Sequence, residues 1–218
     1  MKQEYIKSRQ QDSKHFKVRG IEIFVKNEIS NGVSIKVAVE ELFSIVPGKL
    51  MVNINSIHVG EFKELSSRKI QALYKDSSIF MTNKQRSQED ILDDLVHEVA
   101  HSVEEIREAE IYSDNKIKDE FLSKRKELWF RLKNEGFEKD VSDFSRVEYN
   151  SEFDLFLYKE VGYPLLSSVA ASLFYSPYGA TSIREYFANG FEAFFLREDL
   201  GRLNSTSPSL FKKIANLK

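Results

Sequence analysis

The stretch ILDDLVHEVAHSVEE, residues 91–105, decides how the rest of the chain is read. Ser87 with Asp90 three positions on forms a capping pattern ahead of it, so a helix is expected to begin there. At about 100° per residue, Leu92, Leu95, Val96, Val99, Val103 and Ile106 fall on one apolar stripe. His97 and His101 fall roughly 140–180° away on the same wheel, with Glu104 and Glu108 beside them. The chain has only four histidines in 218 residues, yet two stand one helical turn apart with Glu98 between them. Residues i and i+4 are neighbours on a helix surface, close enough for both imidazoles to hold one ion. Glu98 projects to one side, where a carboxylate reaches a water rather than the metal. Nine acids face a single base, Arg107, between Glu89 and Glu110, a field that favours a cation.

Composition narrows the classes. Hydrophobic residues are 41% and charged residues 30%, with 17 Phe and 9 Tyr, as expected of a folded chain with a sizeable core. The absence of cysteine excludes disulfides, thiolate metal sites and cysteine nucleophiles. A net charge of -2 and scattered bases, with no aromatic-interleaved basic patch, speak against nucleic acid as a partner. The polar start MKQEYIKSRQQDSKHFKVRG has no signal-like apolar run, and YPLLSSVAASLFY (163–175) is too short and serine-rich to span a bilayer. A soluble chain is therefore expected, cytoplasmic as it stands, or secreted through a removed leader or another export route.

Residues 1–17 read as a tail. Residues 18–29 and 50–60 alternate as strands do, 33–46 have helical spacing ending at Pro47-Gly48, and 72–83 read as a hairpin around Asp76-Ser77-Ser78. From Ser87 onward the pattern is mostly helical. The expectation is one α+β domain over 18–218, β-rich to about 85 and helical from about 86.

A hydrolytic zinc takes three protein ligands and leaves a fourth position to water. His15 and His58 have no spacing that recommends them and read as surface or strand histidines. The third ligand is then a carboxylate, for which there are many candidates. The segment SPYGATSIREYFANGFEAFFL (176–196) resembles the catalytic domain of the anthrax toxin lethal factor and Pro-Pro endopeptidase family, zinc peptidases of the gluzincin type. That family carries a Tyr-Gly pair and, seven residues after the tyrosine, a ligand glutamate opening an E-[YF]-F-A run. The matching residues here are Tyr178-Gly179 and Glu185-Tyr186-Phe187-Ala188.

The resemblance implies a zincin-like fold holding one zinc per chain on His97, His101 and Glu185. It implies Glu98 as general base and Tyr178 as the hydroxyl that steadies the transition state. The activity implied is endopeptidase cleavage of an extended peptide or protein, in a toxin-like or surface-processing role. On local sequence alone, Ser182-x-x-Glu185 is also a capping box that would turn Glu185 back onto the Ser182 amide. Tyr178 could equally be a core aromatic beside Phe174, Tyr175 and Phe187.

The chain departs from the family at Asn189, where lethal factor has an acid. The amide is a weaker partner for a ligand imidazole, a place Glu104 or Glu108 could fill. It also departs in a long intervening stretch, read as a helical pair at about 116–137 and 143–163. The first of these is rich in Lys and Arg, most simply a solvated face, or else a lid or partner surface. A strand within 72–83 is expected to rim the cleft and to pair with substrate. The competing reading is a non-catalytic zinc-binding or protein-interaction domain on the same fold.

Overall fold

The structure, a computed structural model, describes residues 14–29, 32–197 and 199–218, and is of the α+β kind. It comprises two compact units, residues 1–106 and 107–218. Most of the expected tail, residues 1–13, lies outside the described residues.

The first unit is built on a five-stranded sheet ordered β1-β2-β3-β5-β4. Where one strand is expected over 18–29, two form: β1 (Lys14–Val18) and β2 (Ile21–Val25) pair antiparallel. Arg19 (φ 49°) and Gly20 (φ 98°) both turn left-handed between them, the conformation a tight hairpin demands. Helix α1 (Ile35–Ile45), capped by Ser34, crosses from β2 to its parallel partner β3 (Ser56–Val59). β3 is much shorter than the alternation over 50–60 suggests. Ile54 N–H bonds back to Met51 in a turn, and the Asn53 side chain hydrogen-bonds to neighbouring side chains. After α2 (Lys63–Arg68), β4 (Ala72–Lys75) and β5 (Ser78–Met81) form the expected hairpin, with Asp76 and Ser77 both at positive φ. β5 inserts beside β3, so β4 is left at the sheet edge, paired with β5 alone among the described residues.

Period-two alternation sorts the side chains of this sheet. Ile21, Ile23, Val25, Ile57, Val59, Ile79 and Met81 are buried on one face. On the other face His15, Phe24, His58 and Phe80, in register across four strands, stack ring on ring with centroids 4.4, 4.9 and 4.9 Å apart. The two histidines outside the motif are thus strand histidines. Burial in this row depresses the His58 pKa.

Helix α3 (Gln88–Tyr112) begins where expected, with Ser87 Oγ accepting from Asp90 N–H at 3.1 Å. Gln88 exchanges two hydrogen bonds with the Ser34 backbone, tying the starts of α1 and α3 together. Leu92, Leu95, Val96, Val99 and Val103 are buried as their spacing predicts, but Ile106 is 45% exposed. The helix breaks at Arg107 (φ −122°, ψ 22°), so the stripe loses its direction there.

The second unit is helical: α4 (Lys116–Asn134), α5 (Val141–Phe144), α6 (Ser151–Leu155), α7 (Tyr163–Ala170), α8 (Ile183–Leu196), α9 (Leu200–Thr206) and α10 (Pro208–Leu217). The second of the expected helical pair is broken into pieces. Asn150 caps α6, a π turn spans Phe156–Val161, and Gly162 (φ 77°) ends it. α8 is the buried helix, with Tyr186, Phe187, Ala188, Phe191, Ala193 and Phe195 all inside. Gly190 lets α10 approach closely, because a Cβ there would stand 2.3 Å from Leu210 Cδ2. Among the described residues no helix is long and apolar enough to cross a membrane.

Candidate metal centre

On α3 the rings of His97 and His101 lie edge to face, 5.1 Å between centroids. Glu104 sits one turn on, nearly buried, with Oε2 3.5 Å from His101 Nδ1. A carboxylate beside Nδ1 favours Nε2 as the ligand atom. Glu108, also a candidate for this role, is exposed. Glu98 is only 6% exposed, and its Oε2 accepts the backbone N–H of Tyr74 at 2.5 Å. Tyr74 also donates its hydroxyl to Glu105 and receives Asn53 Nδ2 at 2.6 Å. Burial, followed by the Glu105 hydrogen bond, pushes the Tyr74 phenol up to about 12.

In the helical unit, Tyr178 lies in a single 3-10 turn, Pro177–Ala180, just before α8. Ser182 caps α8 by accepting from Glu185 N–H at 3.2 Å, so half of the capping box forms. Tyr178 is half-buried, and its pKa is raised first by burial and then by the charge of Glu185. The phenol therefore keeps its proton across the neutral range and remains a donor. Asn189 Oδ1 accepts the Ser176 hydroxyl, fixing the residue before Pro177-Tyr178. The amide where the resembled family has an acid thus braces the tyrosine loop.

His97, His101 and Glu185 each offer one ligand atom, and these atoms all lie within 4.8 Å of one another. All three side chains are half-buried, and among the described residues this is the one such group of three or more that could hold a metal ion. The set fits a divalent transition-metal ion. Two imidazoles and one carboxylate leave one position of a tetrahedral ion open, and ligands about 2.0–2.2 Å from such an ion stand roughly 3.4 Å apart.

Two residues that matter to this geometry have no motif. Tyr74 comes to Glu98 through its backbone, which composition does not encode. Arg125, on α4, is 1% exposed and donates to the carbonyls of Phe144, Ala180, Thr181 and Asp143. It thereby holds the link between Tyr178 and the Ser182 cap. Its signal was present: Ile117, Phe121, Arg125, Leu128 and Leu132 share one helical stripe.

No protein-family model, curated protein or solved structure matches the chain.

Proposed function

We propose that the chain is a zinc-dependent endopeptidase with a zincin-like fold, of the lethal factor and Pro-Pro endopeptidase kind, acting on an extended peptide or protein segment. The observation that carries this reading is the grouping of His97, His101 and Glu185 around one point, with Glu98 between the two histidines in sequence. Zinc on these three side chains would polarise the scissile carbonyl and bring the pKa of water near neutrality.

The chain's own residues do the rest. Glu98 takes the proton of the attacking water and delivers it to the leaving amine. Tyr178 donates its hydroxyl to the developing oxyanion, a contribution typically of about 3 kcal/mol. Its raised pKa suits this task, because an ionised phenol has no proton to donate. Glu104 lies beside the His101 ring, 3.5 Å from Nδ1, where its charge favours a bound cation. β4, at the sheet edge, offers backbone groups to which an extended substrate adds as a further strand.

The test pairs metal analysis with cleavage of a peptide library read by mass spectrometry. The wild type is expected to carry about one zinc and to cleave peptides. Glu98→Ala is expected to keep the zinc and lose cleavage, typically by 10²-fold or more. A wild type that binds zinc and cleaves nothing is the non-catalytic metal-binding domain instead. A wild type that binds no zinc removes both readings.

A further inference from the structure

Asp76 and Ser77, both left-handed, close a two-residue hairpin in which Lys75 faces Ser78. In such a hairpin the pair flanking the loop exchanges hydrogen bonds, the next pair does not, and the pattern alternates. Thr82 N–H bonded to Gln71 O confirms that phase four residues further along. The N–H and C=O of Tyr74 and of Ala72 therefore point outward from β4, away from β5. An outward amide on an edge strand is what an added peptide strand pairs with. Here the Tyr74 amide already donates to Glu98.

The side chain of the same residue makes this arrangement rigid. Glu98 and Glu105 stand two turns apart on α3, about 10 Å along its axis. Tyr74 bridges them, backbone on Glu98 and phenol on Glu105. Asn53 donates to both the Tyr74 hydroxyl (2.6 Å) and Glu105 (3.1 Å), and receives Ser77 Oγ from the hairpin loop at 3.1 Å. One residue of the edge strand is thus held along the helix at two points, with the loop pinned beside it.

We propose, on the peptidase reading given above, that Tyr74 is the positioning residue for the general base: its outward backbone N–H aims the Glu98 carboxylate, its phenol clamps the strand to Glu105, and an incoming peptide strand pairs from Ala72 rather than from Tyr74. The phenol acts only through strand placement and touches no reacting atom. Loss of the clamp therefore lets the base wander without weakening the substrate's own contacts.

The first measurement is steady-state cleavage by Tyr74→Phe, which keeps the ring and the amide and removes the hydroxyl. kcat is expected to fall ten- to hundred-fold with KM and zinc content unchanged, the cost of about 1 Å of misplacement. Glu105→Gln still accepts the phenol and should stay near wild type, whereas Glu105→Ala should match Tyr74→Phe. The double variant Tyr74→Phe with Glu105→Ala should fall no further than either single one. Wild-type turnover in Tyr74→Phe, or a fall equally large in KM terms, overturns the proposal.

The second measurement is independent of turnover. By NMR hydrogen exchange, the Tyr74 amide should be protected in the wild type and exchange at least tenfold faster in Glu98→Ala. Equal exchange in the two proteins overturns the proposal. A wild type that cleaves nothing sinks the peptidase reading alone, and the exchange result still decides whether Tyr74 holds Glu98.

Discussion

Lys124 carries its ammonium group into the interior of the helical unit, 9% exposed. Its three donors go to Thr206 O at 2.6 Å, Ser207 Oγ at 2.7 Å and the face of Tyr186, 4.8 Å from the ring centre. Burial lowers its pKa to about 8, with the nearby Glu120 charge opposing the shift. The unfolded chain holds this proton to an ordinary lysine value of 10.5. Between those two values the unfolded state binds more protons than the folded one, so stability rises with pH. The slope reaches about 1.4 kcal/mol per pH unit at most. Tyrosine acts with the opposite sign: Tyr74, raised to about 12, contributes stability that is lost as pH climbs from 10. Denaturant midpoints should therefore increase from pH 8 to 9.5 and fall above 10, and Lys124→Met should remove the rise while keeping the fall. A wild-type midpoint that is flat or declining over pH 8 to 9.5 contradicts the assignment. Lys124 was not legible beforehand, because a lysine on a basic helix reads as solvated, and only the carbonyl at Thr206, far along the chain, makes it otherwise.

The elements divide by how local their causes are. The hairpin at 72–81 and the start of α3 follow from neighbouring residues: two left-handed loop positions in one case, Ser87 on the Asp90 amide in the other. Both were readable, as were the histidine face of α3 and the Glu185 helix with its Ser182 cap. Where alternation came without a closing partner it misled, since residues 51–55 turn, and only Ser56–Val59 finds strands on both sides. The broken helix at 141–170 escaped for a similar reason. Its stops are one cap at Asn150 and one left-handed Gly162, weak marks within an apolar run. Arg125 shows the intermediate case. Its place in an apolar stripe is visible, but the four carbonyls it serves come from α5 and from the turn after Tyr178. Lysine at that position keeps the charge but replaces a planar fork by a point donor. Arg125→Lys should therefore cost about 1.5–3 kcal/mol, one charged hydrogen bond's worth, read as a lower denaturant midpoint with unchanged slope. Amides of 178–182 should exchange faster first, since they depend on those carbonyls being held. A midpoint within about 0.5 kcal/mol of wild type would show that the guanidinium is not what fixes this turn.

Over the whole molecule, the group His97, His101 and Glu185 exists only in the folded chain, because Glu185 lies far from the two histidines in sequence. An ion held by all three binds the native state and has no comparable site in the unfolded one. Stabilisation then follows mass action: at a hundredfold excess over the dissociation constant it amounts to about 2.7 kcal/mol. For a chain of this length each kcal/mol moves the melting temperature by about 2–4 °C, so zinc should raise it by roughly 5–10 °C, and a chelator should reverse the shift. The dependence on donors separates this site from incidental binding to the acidic surface of α3. His101→Ala and Glu185→Ala should each abolish most of the shift, although one residue lies on the acidic helix and the other does not. Glu98→Ala should retain it, because Glu98 is read as a base and not a ligand. Glu104→Gln should keep a smaller shift, because the negative charge beside His101 is lost. Scanning calorimetry with and without zinc across these variants decides the matter. If zinc moves the wild type and Glu185→Ala by the same amount, the carboxylate is no ligand, the three-donor centre does not form, and the hydrolytic chemistry built on it has no metal to act with.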